Sequence, residues 1–293
     1  MKKRQLGLGI AVVLSAVMVF AGCGTEKQED PVALREVVEK MKENEMKSAS
    51  ITMNMEFKGG YSIAGKSQEF SMTMEMDSKW ISDPIAAYMN ETIQTSGGGE
   101  AAEKVQTEMY LVPEEGKSVL YFSSNDQWYQ IGDGSLDEYK EFQTGFDADS
   151  FTEEQLNTVC KDANASIDGK AAYEFVLNAS FSDMSSLAEE ALQGLSSILG
   201  SSFWETESVI TLYIDKETLY PISYSMEIGK AEQGSDESAS SDGAQNNAQN
   251  SNGVWIDKCT ISAKYADINE VDAITVPNEV KANALDFNAM LSE

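Results

Sequence analysis

Apolar and polar positions change period several times along this chain of 293 residues. Val32, Leu34, Val37, Val38 and Met41 recur at helical spacing just after Pro31, a residue tolerated in a first turn, and predict a helix at the start of the folded part. From Ser48 the period falls to two. Ile51, Met53, Met55 and Phe57 alternate with Thr52, Asn54 and Glu56, and Phe70, Met72, Met74 and Met76 alternate with Ser71, Thr73, Glu75 and Asp77. The alternation predicts two antiparallel strands, each with one apolar face, joined through a stretch punctuated by Gly59-Gly60 and Gly65. Further strands are expected at 84–95, 104–112, 117–123 and 127–131, the last two flanking a hairpin tip at Ser124-Asn125-Asp126. Strands resume at 171–180, 205–215, 218–229 and 253–267.

Two helical passages interrupt this pattern. One covers about 135–160 and is rich in acids. The other runs from Ser182 to Leu199, where Met184, Leu187, Ala188, Ala191, Leu192, Leu195, Ile198 and Leu199 form an apolar stripe that ends at Gly200. A helix with such a stripe needs a hydrophobic surface to lie against. The segment 232–253 is Ser, Asn, Gln, Asp and Gly with almost nothing apolar, and reads as a disordered hairpin tip. The folded part is long enough for one large β-rich domain or two small ones.

The first residues have a different logic. Lys2, Lys3 and Arg4 precede an apolar run from Leu6 to Phe20, long enough for a secretory signal and short for a transmembrane helix. Ala21 and Gly22 then place two small residues directly before Cys23. This order resembles the lipobox of bacterial lipoproteins, which implies lipid attachment at Cys23. The alternative is an ordinary signal peptide that leaves a free cysteine. The expected organisation is a lipoprotein signal peptide over 1–22, a lipidated cysteine and tether over 23–31, and a single domain over 32–293. The expected location is the extracytoplasmic face of a bacterial cell membrane, with the lipid anchor as the membrane contact.

Charge narrows the partners. The net formal charge is −28, and removal of residues 1–22, which hold three basic residues and no acid, makes it more negative still. Nucleic acid is excluded as a partner, because phosphate binding needs clustered Lys and Arg. The acidity reads as solubility in a cation-rich exterior or as loose binding of hard divalent cations; Asp147-Ala148-Asp149 lacks the offsets of a calcium loop, and no metal site is assigned. With Cys23 lipidated, Cys160 and Cys259 remain as a disulfide candidate in an oxidising exterior. Two separately buried thiols are the other reading.

The chain has no histidine, which removes Ser-His-Asp and Cys-His catalysis and His-containing zinc sites. No nucleophile-elbow, P-loop or dinucleotide-binding glycine pattern occurs either. The expectation is a protein that is not an enzyme and holds no cofactor. Methionine is the unusual signal. Met53, Met55, Met72, Met74, Met76, Met89 and Met109 crowd the first strands, where β-branched residues are the usual choice. Flexible, polarizable thioethers suit an adaptable apolar cavity, and they equally suit a core filled with methionine.

The lipobox and tether, the first helix running into Lys47-Ser48-Ala49-Ser50-Ile51-Thr52-Met53-Asn54-Met55, the long meander, and Leu212-Tyr213-Ile214-Asp215-Lys216-Glu217-Thr218-Leu219-Tyr220-Pro221-Ile222 joining two strands are together similar to lipoproteins of the LolA/LppX/LprG-like group. In that passage Asp215 favours a turn and Pro221 suits an edge or bulge. The resemblance implies an α+β fold: a strongly curved antiparallel sheet, an incomplete barrel, with helices packed on or closing the concave face. The 182–199 helix would then cover a cavity lined by the seven methionines with Leu187, Leu192 and Leu195. The function expected is binding of a lipid or other hydrophobic ligand near the membrane; the alternative is a protein-binding, envelope-sensing or structural surface lipoprotein without a small ligand.

Overall fold

The computed structural model describes residues 32–63, 66–97, 100–134, 151–180, 207–228, 231–233 and 253–291. Alternation becomes strand wherever it was strongest. The first six strands are β1 (Ser48–Ile63), β2 (Lys66–Ser82), β3 (Ile85–Gly97), β4 (Glu100–Glu114), β5 (Lys117–Ser124) and β6 (Gln127–Gly134). They are followed by β7 (Asp162–Ile167), β8 (Lys170–Ser180), β9 (Glu207–Asp215), β10 (Pro221–Ile228), β11 (Ala231–Gln233), β12 (Gly253–Ala266) and β13 (Leu285–Asp286). The described helices are α1 (Leu34–Glu43), α2 (Glu153–Leu156), α3 (Asn278–Asn283) and α4 (Phe287–Leu291).

Among the described residues all thirteen strands belong to one open sheet, ordered β13-β6-β5-β4-β3-β2-β1-β12-β10-β9-β8-β7, with β11 added to β12 off this path. Two antiparallel meanders, β1–β6 and β7–β10, are joined because β12 pairs antiparallel with both β1 and β10. The last strand, β13, is parallel to β6. Val32–Glu293 forms one compact unit with its own buried clusters.

Strand register assigns every side chain to a face. On one face Met55 lies opposite Met74 on β2 and Ile261 on β12, Met226 lies opposite Ile261 and Ile210, and Ile210 lies opposite Leu177. Leu34, Val37 and Val38 of α1 pack on this face with Phe175, Leu177, Leu212 and Ile214. At the other end of the same face, Phe287 of α4 meets Phe122 and Tyr129 edge-on at 5.6 and 5.9 Å. The opposite face carries a second small core, where Val276 and Val280 join Tyr110, Val112 and Tyr121. Lys281 of α3 pairs there with Glu114. Helices therefore lie on both faces, α1 and α4 on one and α3 on the other, whereas the family resemblance implied one.

Several expectations need correction. Among the described residues of the 135–160 passage helix is present at α2, where Thr152 and Gln155 form a reciprocal capping box; residues 135–150 lie outside the described residues. Strand β7 was not anticipated, because Asp162-Ala163-Asn164-Ala165-Ser166-Ile167 carries little apolar alternation. Its edge position tolerates that. The helix expected at 182–199, and residues 234–252 of the polar insert, lie outside the described residues. Pro221 sits at a register shift in β10, consistent with its lack of an N–H donor.

The candidate disulfide is not formed: Cys160 and Cys259 are both free. Cys259 is on β12 among Met55, Phe57 and Met226, whereas Cys160 packs with the α1 cluster and has its thiol 3.5 Å from the Glu174 carbonyl of β8. From β12 to β8 the sheet crosses β10 and β9. Three interstrand spacings come to about 14 Å, beyond the roughly 7 Å between Cα atoms that a disulfide spans. Burial raises both thiol pKa values, that of Cys259 to about 12.

Candidate functional site

All seven methionines singled out in the sequence share one face of neighbouring strands. Met53 faces Met76 and Met55 faces Met74 across β1 and β2, with Phe57 opposite Met72. On β3, Ile93 lies opposite Met74 and Met89 opposite Ser78, and Met109 of β4 continues the row opposite Met89. Directly opposed residues in an antiparallel pair have Cβ atoms about 4.5–5.5 Å apart, so these thioethers form a contiguous surface. Met55 and Met74 are buried; Met53, Met72, Met76, Met89 and Met109 are half-buried. Leu187, Leu192 and Leu195 lie outside the described residues.

The face has a depth gradient. Towards β12 and β10 it is closed core, with Phe57, Met226 and Cys259 fully buried. Towards the turn between β3 and β4 it opens until Val105, opposite Ile93, is 56 % exposed, whereas Leu111 further along β4 is buried. Phe70 stacks on Phe57 at 5.1 Å between centroids and continues the surface towards Tyr61. Gly59 and Gly60 permit close packing at that end: a Cβ on Gly60 would run into the Trp255 indole and the Gln68 carbonyl. The strand shifts register between Lys58 and Gly59, and such a bulge increases local twist.

Besides its apolar residues this face carries Ser78, Thr95, Thr107 and, at the exposed end of β4, Glu103. Glu91 is the sharpest exception, because it occupies an apolar-parity position on β3 opposite Met76 and Thr107 and between Met89 and Ile93. Among the described residues its carboxylate has no hydrogen-bond or ion-pair partner, and desolvation raises its pKa above the ordinary value. Sequence reading missed it by counting only the methionines. An acid at the apolar phase of the 84–95 alternation was the available signal.

Two more polar atoms lie at the end of the face near Ala49. Trp80 Nε1 and the Tyr265 hydroxyl are buried without a hydrogen-bond partner. Both side chains belong to a cluster with Ala49, Ile51 and Ala263, and Met53 packs against it. Burial pushes the Tyr265 phenol well above its ordinary range and neighbouring Tyr224 up to about 12. The Tyr265 phenol therefore stays protonated at neutral pH and remains a hydrogen-bond donor, as the indole is.

The opposite face is built of pairs instead. Glu56 accepts hydrogen bonds from Lys258 and Lys58 at 2.6 and 2.8 Å, which lowers its pKa to about 2. Thr52 donates to Asp77 at 2.9 Å, and Tyr110 donates to Glu108 at 2.7 Å. These are satisfied surface ladders. Among the described residues no three Cys, Asp or Glu side chains gather as a metal-ion cluster. No described helix is long and apolar enough to cross a membrane.

No curated protein matches the chain. A family match does extend over nearly all of the folded part, from Ala33 ahead of α1 to Leu285 in β13. The chain belongs to the Family of unknown function (DUF6612), matched over residues 33–285.

Proposed function

We propose that this protein is a membrane-anchored extracytoplasmic lipoprotein, held by lipid on Cys23, that binds a lipid or other hydrophobic ligand on its methionine face. The observation that carries the reading is the continuity of that face: Met53, Met55, Met72, Met74, Met76, Met89 and Met109 share one side of four adjacent strands, with Met55 and Met74 buried and the other five half-buried. A ligand site is typically an apolar surface with a few placed polar groups, and here those are Glu91, Trp80 Nε1 and the Tyr265 hydroxyl. Thioether side chains adapt to ligands of different shape.

The likeness to the LolA/LppX/LprG-like group supports a sheet curved into an incomplete barrel with the methionines inside. Sheets of this many twisted strands curl rather than stay flat, and the register shifts at Lys58/Gly59 and Thr95/Gly97 add twist. The packing of α1 and α4 at the two ends of the methionine side is compatible with that geometry. An alkyl chain of about ten buried methylenes would contribute about 8 kcal/mol gross, part of which is offset by ordering of the ligand. The chemistry asked of the site is shelter, not catalysis.

The test is native mass spectrometry of residues 24–293 purified without detergent, followed by solvent extraction. A reproducible lipid-sized adduct is the expected result. A clean unliganded mass that membrane lipid extract leaves unchanged would overturn the reading.

A further inference from the structure

Glu91, itself half-buried, is out of place among the apolar side chains that make up most of this face. Every other position around it by register is uncharged: Met76 and Thr107 directly opposite, Met89 and Ile93 along the strand, and Met74, Ser78, Val105 and Met109 on the diagonals. An ionised carboxylate in such surroundings is costly unless something pairs with it. No described residue does. Four lysines pair with other acids, Lys58 and Lys258 with Glu56 of the opposite face, Lys161 with Glu174 and Lys264 with Asp168.

We propose that Glu91 anchors the head of the ligand, and that the methionine face selects a single-chain amphiphile whose head is a protonated amine. This rests on the hydrophobic-ligand reading above and narrows it.

The side chains present decide between ligand classes. A bare hard cation would prefer several oxygens, and a soft one would leave the carboxylate unused, so a lone carboxylate set among thioethers suits neither. An alkylammonium uses both parts: its chain lies on Met74, Met76 and Met89, and its ammonium donates to Glu91 in a charge-assisted hydrogen bond. A carboxylate or phosphate head would place like charge beside Glu91. An alcohol would gain the chain contacts but only a weaker, neutral-donor bond to the carboxylate. The net charge of −28 also favours encounter with a cation over an anion. Desolvation of Glu91 has the same meaning: the surroundings resist an unpaired charge there.

The experiment is calorimetric titration of residues 24–293, at physiological salt, with decylamine, decanol and decanoate, repeated on Glu91→Gln and Glu91→Met. The amide keeps the shape of the side chain, and the thioether matches its neighbours, so both variants are expected to fold. The expected result is preference for decylamine, lost by about tenfold or more in Glu91→Gln, as for removal of one hydrogen bond to a charged group. Decanol binding should change little in Glu91→Gln, where an amide oxygen still accepts from the hydroxyl, and decanoate binding should strengthen in Glu91→Met, where the like charge is gone. Equal affinity for the three ligands with no effect of either variant would overturn the role of Glu91 and leave the hydrophobic site standing. No binding of any of them would overturn both.

Discussion

Met76 on β2 and Glu91 on β3 are direct cross-strand partners, so a carboxylate and a thioether share a position on the apolar side of the sheet. The pairing has a thermodynamic signature. Glu91 has a raised pKa in the folded state, so its contribution is fully present below its ordinary value of 4.5 and is lost as pH rises through the folded value. The groups facing it from β2 and β4 are Met76 and Thr107, neither of which titrates. Glu91→Gln should therefore be more stable than the wild type at neutral pH, and the difference should shrink in acid. Urea melts of both proteins at pH values on either side of the transition check this. A variant less stable at neutral pH would contradict the assignment.

Glu56 should behave in the opposite sense. Its pairing with Lys258 and Lys58 lowers the folded pKa from 4.5 to about 2, so the stability it supplies is present above 4.5 and is lost as pH falls through about 2. Carboxyl-resolved NMR titration should show the low midpoint, and Lys258→Met should move it upwards. An unmoved midpoint would mean that the pair is not formed in solution.

The two thiols should react at different rates. Cys259 is fully buried in the central cluster, and Cys160 is half-buried near the sheet edge. Alkylation of the folded domain without reductant should label Cys160 slowly and Cys259 only after unfolding. Recovery of a Cys160–Cys259 linked peptide under oxidising conditions would contradict the placement of these strands.

Gly60→Ala should destabilise by about 1–3 kcal/mol, because the added methyl meets the Trp255 ring and the Gln68 carbonyl in a closed space. Gly132→Ala is the control. Nothing lies within 4 Å of a Cβ at that position, and the change should stay within about 0.5 kcal/mol. Denaturant midpoints of the two variants separate these cases.

Much of the sheet was legible because side-chain burial repeats with the period of the strand. The alternation of Ile51 to Phe57 and of Phe70 to Met76 identified β1 and β2, and register carries those same residues onto one face. Partner order was not legible: nothing local in Gly253–Ala266 says that β12 pairs with β1 and β10 and so joins the two meanders. Short edge elements were lost for another reason. β7 and β13 bury little on either side, so their sequences carry almost no periodicity. The methionine surface was visible as composition, whereas Glu91 was visible only as a break in phase. The disulfide failed as an expectation because counting cysteines gives parity and not distance.

The central claim concerns the methionines, and their own methyl groups report on it most directly. With methyl-labelled methionine in residues 24–293, a bound hydrophobic ligand should shift the signals of Met53, Met72, Met76, Met89 and Met109, and leave exposed Met290 on α4 in place. Saturation with membrane lipid extract and with decylamine that moved none of these five signals, or moved all methionines alike, would contradict a ligand site on this face.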